Sequence, residues 1–365
     1  MNVVKATRKY EEWLALRLRI VGPDLKAKHE AMAQAPFSFL RATFYRWLQV
    51  WEEECAELQD VPRILSVGDL HVENFGTWRD TDGRLVWGIN DFDEASVYPY
   101  TMDLVRLATS ALLAAREGKL AMKPRESAEA IFEGYERGMQ EEGRPFVLQE
   151  GHSWLRAIAE GELRDPVAFW QKMDNLPAAR GEVPESAREA LEHMLPEPRI
   201  PYRLASRVAG LGSLGRLRLV AIADWKGGRV AREAKALVSS AAHWHDPKHT
   251  PDEILYGVIL RRAIRCPDPY VQLRGHWIVR RLSPHCSRIE LDTLGTARGE
   301  CRLLAAMGHE TANIHVGTVE KRRAILKDLR RRKSNWLLKS AQSMVSSIDR
   351  DWKEWKERRQ GQTSA

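Results

Sequence analysis

The residues best suited to chemistry fall in two short segments, one around Asp69 and one around Gly212. The first reads Gly68-Asp69-Leu70-His71-Val72-Glu73-Asn74-Phe75-Gly76 and directly follows the apolar run Ile64, Leu65 and Val67. Six residues after Gly76, Asp82-Gly83 is a strong hairpin signal, because both positions tolerate positive φ. The return strand ends in Ile89-Asn90-Asp91-Phe92-Asp93-Glu94. If Asp82-Gly83 forms a two-residue loop, Asn74 faces Asp91 across the hairpin, with Cβ atoms about 4.5–5.5 Å apart. An amide oxygen and a carboxylate so placed can hold one hard divalent cation, and Mg²⁺ takes its other ligands from water and phosphate. Asp93 shares that strand end and joins Asn74 and Asp91 as a candidate metal group. Taken singly, Asp69 and Asp82 read as turn formers. The ordered combination of loop, hairpin and Asp-Phe-Asp is the specific signal.

The second segment is Gly210-Leu211-Gly212-Ser213-Leu214-Gly215. Such a glycine pattern opens a helix in dinucleotide folds and joins two strands in phosphate-covering hairpins. Here Arg216 and Arg218 alternate with Leu217, Leu219 and Ala221, which is strand period, and Ile200 to Leu204 alternates ahead of it. The expectation is therefore strand, glycine loop, strand, with Gly210, Gly212, Ser213 and Gly215 as nucleotide-contacting positions. A turn at Lys226-Gly227-Gly228 leads to a third strand that carries two cations able to meet phosphates, Arg232 and Lys235. Their odd spacing points them to opposite faces.

These segments need elements to hold them. Residues 1–60 read as an N-terminal helical segment, broken at Pro36. Residues 61–176 form a lobe with the carboxylate loop, the hairpin and then helices. Five prolines mark 177–201 as a connector with one short helix, and 202–283 read as a sheet lobe. Residues 284–365 return to helix, at 290–316 and from Glu320 onward, where Val345, Ile348, Trp352 and Trp355 share one stripe.

Several of these motifs resemble the bacterial family called domain of unknown function 2252. They are Met32-Ala33-x-x-Pro36-Phe37-x-Phe39-Leu40-Arg41, the Gly68 to Gly76 loop, Asn90 to Glu94, Asp103-Leu104-x-Arg106-Leu107-Ala108-x-Ser110, the glycine loop and Glu233-Ala234. The likeness runs from about residue 30 to 316. Gly-Asp-x-His-x-x-Asn followed by an Asp-bearing strand end is also similar to aminoglycoside-phosphotransferase and choline-kinase type enzymes. Asp69 and Asn74 keep the Asp-x-x-x-x-Asn spacing of the kinase catalytic loop, and Asp91 stands where those enzymes hold metal. The resemblance implies an α+β protein-kinase-like two-lobe fold. It implies ATP and Mg²⁺ as cofactors, Asp69 as the catalytic base, and a hydroxyl acceptor that is a small molecule or a protein. Two departures stand out. The glycine loop follows the catalytic loop, which implies circular permutation, with the helix around Leu303 to His315 leading into the catalytic loop. Arg232 replaces the lysine of the family pattern before Glu-Ala, so Lys235 is the other candidate for the phosphate grip.

Composition narrows the alternatives. The net charge of +7 is the charge of one segment, Lys321 to Lys333, which holds eight basic residues and one acid. That run reads as a solvated helix face, so nucleic acid is not the expected partner. Cys55, Cys266, Cys286 and Cys301 form no Cys-x-x-Cys pair, which fits a reducing compartment. No run of apolar residues is long enough to span a membrane, and the first residues lack a signal-peptide core, so the expected location is the cytoplasm. His243, His245 and His249 lack zinc-site spacing. A metallophosphoesterase would need an upstream Asp-x-His and a downstream Gly-Asn-His, and neither is present. The leading reading is an ATP- and Mg²⁺-dependent phosphotransferase. The rivals are a non-catalytic nucleotide-binding pseudokinase and a nucleic-acid-binding module built on the basic tail.

Overall fold

Four helices come first, Val3–Ala15, Gly22–Gln34, Pro36–Ala42 and Phe44–Glu54. Asn2 caps the first, its Oδ1 accepting from the Lys5 N–H at 3.0 Å. Prolines stand in the opening turns of the second and third, where a missing N–H is tolerated. The computed structural model describes residues 1–149, 151–161, 165–179, 181–286 and 297–363. It is a mixed α+β protein, with three sheets among the described residues.

Strand β1 (Arg63–Ser66) pairs antiparallel with β4 (Ser96–Pro99), and between them β2 (Phe75–Arg79) and β3 (Leu85–Ile89) form the hairpin, with β5 (Phe146–Val147) on its edge. The hairpin register differs from the sequence expectation by one residue. Phe75 faces Ile89 and Arg79 faces Leu85, so Asn74 does not directly oppose Asp91. The cause is Asp80. Its Oδ1 accepts from the Asp82 and Arg84 N–H groups at 3.1 and 2.9 Å, and its carbonyl accepts from Gly83 at 3.0 Å. These bonds close a loop longer than two residues, in which only Gly83 has positive φ.

Helix Thr101–Arg116 follows β4, and every residue from Thr101 to Ala114 is buried. A helix buried on all sides belongs in the centre of a core, and this one, with Asp103, Arg106 and Ser110 among its buried residues, runs behind the carboxylate loop. Helices Pro124–Gln140 and Ala297–His315 lie against it. They meet backbone to backbone: a Cβ at Gly134 would fall 1.9 Å from the Ala305 carbonyl oxygen, and one at Gly308 would fall 2.0 Å from that of Ile131. Of the helix expected over 290–316, residues 290–296 lie outside the described residues. Helix Trp336–Thr363 seals the core from below, with Ile348 and Trp355 buried and Val345 and Trp352 packed alongside.

The chain from 202 to 283 forms one five-stranded antiparallel sheet, ordered β6 (Arg203–Ser206), β7 (Arg218–Trp225), β8 (Gly228–Ala236), β10 (Trp277–Leu282), β9 (Gln272–Arg274). Short helices Ala241–His245 and Tyr256–Arg262 interrupt it between β8 and β9. Both sheet faces are covered. On one, helix Glu185–His193 of the connector lays Ala187, Ala190 and Leu191 over Leu217, Leu219, Ala234 and Val279. The other turns toward the hairpin and the carboxylate loop. No helix among the described residues is long and apolar enough to cross a membrane.

Candidate functional site

The loop after β1 is held by the helix behind it. Asp103 accepts from the Val67 and Gly68 N–H groups at 2.8 and 2.9 Å, and Ser110 Oγ accepts from the Val72 N–H at 3.0 Å. Gly68 has φ +83, and a Cβ there would stand 2.3 Å from the Glu94 carbonyl oxygen. No other residue fits that turn without displacing the start of β4. His315, at the end of helix Ala297–His315, donates through Nε2 to Asp103 at 3.0 Å, and its Nδ1 lies 2.9 Å from the Tyr135 hydroxyl. Thr318 Oγ1 accepts from the Leu65 N–H at 3.3 Å, so this helix end abuts β1. Asp103 therefore supports the loop and does not pair with Arg106 one turn along.

Arg106 instead reaches Asp69. It is fully buried, donates through Nε to Asp69 Oδ1 at 2.9 Å and through Nη2 to the same oxygen and to the Leu40 carbonyl, and stacks over Phe44 and Trp47. Burial raises the Asp69 carboxyl above its ordinary value in spite of the Arg106 guanidinium, and a raised carboxyl is suited to taking up a proton. His71 keeps its Nδ1 for the Glu73 N–H, at 3.2 Å, which is a loop-bracing contact.

The one-residue register shift joins Asn74 to Asp91 in another way. The Asp91 N–H donates to Asn74 Oδ1, and Asn74 Nδ2 donates to the Asp91 carbonyl, both at 3.0 Å. The Asp91 carboxylate faces Lys235 of β8, whose ammonium donates to both its oxygens at 3.0 and 2.9 Å and to Asp93 Oδ1 at 2.6 Å. Burial raises Asp91, but the Lys235 ammonium, the Asp93 hydrogen bond and the Arg280 charge together outweigh it and hold the carboxyl well below the usual range. Burial, then the Asp91 charge, push Asp93 up to about 7. Two carboxylates already converge on one cation here. Asp91 is about a third exposed, and the Asn74 oxygen keeps a second lone pair, so Asn74, Asp91 and Asp93 are the residues that could hold a divalent ion beside the ammonium.

The glycine loop lies directly over Asp69. A Cβ at Gly212 would stand 3.4 Å from Asp69 Oδ2 and 3.1 Å from the Arg41 carbonyl oxygen. Gly210 has φ +75 and Gly215 φ +96, and Ser213 Oγ accepts from Arg218 at 2.9 Å. The N-terminal helices hold the loop from outside. Lys28 Nζ donates to the Gly212 carbonyl at 3.3 Å, the Val21 N–H donates to that of Gly215 at 2.8 Å, and Leu25 packs on Gly215. Arg216 runs inward toward Asp93 and Glu94, at 3.6 and 3.5 Å, and donates to the Tyr10 hydroxyl. Burial lowers Lys28 to about 8.

Of the two candidate cations on β8, only Lys235 enters the site. Arg232 points to the opposite face, donating to the Met194 carbonyl at 2.8 Å and lying over the Tyr270 ring. Between the sheet and the hairpin is a cavity of about 950 Å³, lined by Asn74, Asp91, Phe92, Gly210, Tyr256 and several arginines. A smaller space of about 60 Å³ lies over Asp69, between it and the glycine loop.

Sequence reasoning singled out neither Lys28 nor Arg216, and missed Asp69 as the partner of Arg106. It quoted Glu233 only within a motif and missed its cluster with Arg207, Arg218 and Arg280, in which Glu233 is buried on β8. The available signal was a run of arginines at strand period, which an amphipathic reading assigns to solvent. The three histidines of 243–249 go to separate partners, Thr250, Glu52 and Asp246. In the basic run, Arg322 donates to the Met139 and Gln140 carbonyls, and Arg332 to Asp328 and Tyr100.

Residues 21–165 match a family model described as an uncharacterized protein conserved in bacteria (DUF2252). That stretch carries Asp69, Asn74, Asp91, Asp93, Asp103 and Arg106, and ends before the glycine loop and Lys235. No curated protein and no solved structure matches the chain.

Proposed function

We propose that this protein is an ATP- and Mg²⁺-dependent phosphotransferase that acts on a hydroxyl acceptor, with a protein-kinase-like architecture in circularly permuted order. The observation that carries the reading is the meeting of two segments distant in sequence: Gly212 lies on the Asp69 carboxylate while Lys235 reaches Asp91. A lysine on the third strand of a strand, glycine loop, strand, strand order, facing a metal-binding Asp, is the arrangement by which kinases grip a nucleotide. The contact of the His315 helix end with Asp103 and β1 supports the permutation, because that helix then leads spatially into the catalytic loop.

In this reading Asp69, positioned by Arg106, accepts the proton of the acceptor hydroxyl. The hydroxyl oxygen forms a bond to the γ-phosphorus, and the bond from that phosphorus to the bridging oxygen breaks, its electron pair leaving with ADP. The loop from Gly210 to Gly215 covers the phosphates with backbone N–H groups. Lys235 neutralises them. Asn74 and Asp91, with Asp93, would hold Mg²⁺, which would supply charge neutralisation at the phosphate oxygens.

A second reading, a nucleotide-binding pseudokinase, is favoured by two observations: Lys235 bridges both carboxylates, and the space over Asp69 is only about 60 Å³. Thermal unfolding with millimolar ATP, with and without Mg²⁺, tests nucleotide binding, since a ligand of the folded state alone raises the melting temperature. Transfer of label from γ-labelled ATP then separates the two readings. No shift under either condition would remove both.

A further inference from the structure

One cluster in the large cavity has no part in the scheme above. Glu233 is fully buried on β8 and receives three arginines from three different strands or strand ends. Arg218 Nη1 of β7 and Arg280 Nε of β10 each donate to its Oε1 at 2.7 Å, and Arg207, just past β6, donates to its Oε2. Burial alone would raise the Glu233 carboxyl, but the three guanidinium groups hold it well below its ordinary value. One carboxylate against three guanidinium groups leaves two positive charges beyond what Glu233 neutralises; the Asp91 charge also acts on Arg218 and Arg280, but it is shared with Lys235. All three arginines line the same cavity, as do Gly210 and Asp91.

The donor count points the same way as the charge. Each guanidinium carries five N–H donors, about fifteen in all. Among the described residues, Glu233 and Ser213 engage four of them. Uncompensated guanidinium groups in a partly enclosed space are costly, and a planar fork of donors matches phosphate oxygens. Glu233 acts as the common anchor that fixes the three forks in one orientation.

We infer that Arg207, Arg218 and Arg280, anchored by Glu233, form a polyphosphate subsite, so that the cavity recognises the phosphate chain of its ligand more than its base. The inference deepens the nucleotide reading and is separable from it. A nucleoside triphosphate and a free polyphosphate share this chemistry, and binding distinguishes them. Calorimetric titration of the full chain with inorganic tripolyphosphate, with ATP and with adenosine is the test, each with and without Mg²⁺. Tripolyphosphate is expected to bind within about tenfold of ATP and adenosine not to bind, because most of the recognition energy lies in the charge-assisted bonds. Arg207→Gln and Arg280→Gln, at the two more exposed members of the trio, are expected to weaken both anions by about tenfold or more. Arg323→Gln, on the helix Arg322–Leu329, leaves both unchanged. If tripolyphosphate binds and ATP does not, the subsite stands and the nucleotide reading falls. If ATP binds and tripolyphosphate does not, or if both natively folded variants keep wild-type affinity, the subsite is overturned. If neither anion binds, both are overturned. The comparison of ligands on the unaltered protein stands even where a variant fails to fold.

Discussion

Replacing Arg106 with methionine should cost stability in a way that depends on pH. The side chain is fully buried and makes three kinds of contact: a pair with Asp69, a bond to the Leu40 carbonyl at 2.9 Å, and stacking on two rings. Breaking a buried pair by removing one partner costs about 3–5 kcal/mol, and since Asp69 is 21% exposed the lower end applies. The orphaned carbonyl adds about 1–2 kcal/mol. The lost stacking adds about 0.5–1 kcal/mol, part of which the methionine recovers. The expected loss is about 4–6 kcal/mol near neutral pH.

The sign of the pH effect follows from Asp69. Its carboxyl is raised by burial even with Arg106 present, and without the guanidinium it rises further. A carboxyl raised on folding takes up a proton, so its penalty is full above the folded pKa and fades as pH falls through it. The deficit of Arg106→Met should therefore shrink by about 1–2 kcal/mol between about pH 7.5 and about pH 5. Adding Asp69→Asn should recover about 2–3 kcal/mol at neutral pH, because it removes the stranded charge and leaves only the carbonyl and ring losses. Urea denaturation followed by tryptophan fluorescence reads all of these. An equal deficit at both pH values, with no recovery in the double variant, would show that Arg106 acts by filling space and that the ion pair contributes nothing.

Three further outcomes are expected. Asp69→Asn should abolish turnover while ATP affinity, read by calorimetry, changes less than threefold or so, whereas Asp91→Asn should weaken Mg²⁺-dependent ATP binding by about tenfold or more. Equal loss of affinity in the two variants would contradict that division. Since Asp93 is pushed up to about 7, its charge appears only as pH rises through neutrality, so Mg²⁺-dependent ATP binding should strengthen from about pH 6 to about pH 8, and Asp93→Asn should flatten that rise. Gly68→Ala should cost about 2 kcal/mol or more and lower the melting temperature, because a Cβ meets the Glu94 carbonyl at 2.3 Å on a left-handed backbone; an unchanged melting temperature would mean that the turn relaxes freely.

The carboxylate loop was legible because its signals are local. Asp69, Asn74 and Asp91 sit within one loop and one hairpin, and a one-residue error in register still left Asn74 bonded to Asp91. The error arose because Asp82-Gly83 outweighed Asp80, whose side-chain bonds become visible only once the loop is closed. The strand, glycine loop, strand pattern was likewise readable from alternation. The burial of Arg216 and Arg218 was not, since period-2 patterns tell which residues share a face and not what covers that face. Arg232 and Lys235 were read as facing opposite ways, but which of them met Asp91 depended on how the sheet lies against the hairpin. Arg106 with Asp69, and Lys28 with Gly212, are long-range pairs; the motifs mark Asp69, Arg106 and Gly212 singly, but nothing local tells which residues meet.

The grip of the first helices on the glycine loop also bears on how fast a ligand can enter. Ile20 bridges to Arg216, Val21 and Leu25 meet Gly215, and Lys28 holds the Gly212 carbonyl. A loop tethered at so many points cannot flap by itself. It must swing with the helix Gly22–Gln34 as one lever, and that helix is in turn fastened to the C-terminal helix through the bond from Trp355 Nε1 to the His29 carbonyl, at 3.3 Å. For a ligand that enters beneath this loop, entry and escape would be paced by undocking of that helix, so affinity and residence time would be separately adjustable. Loosening the Trp355 contact would speed both entry and escape while leaving every ligand-touching group in place.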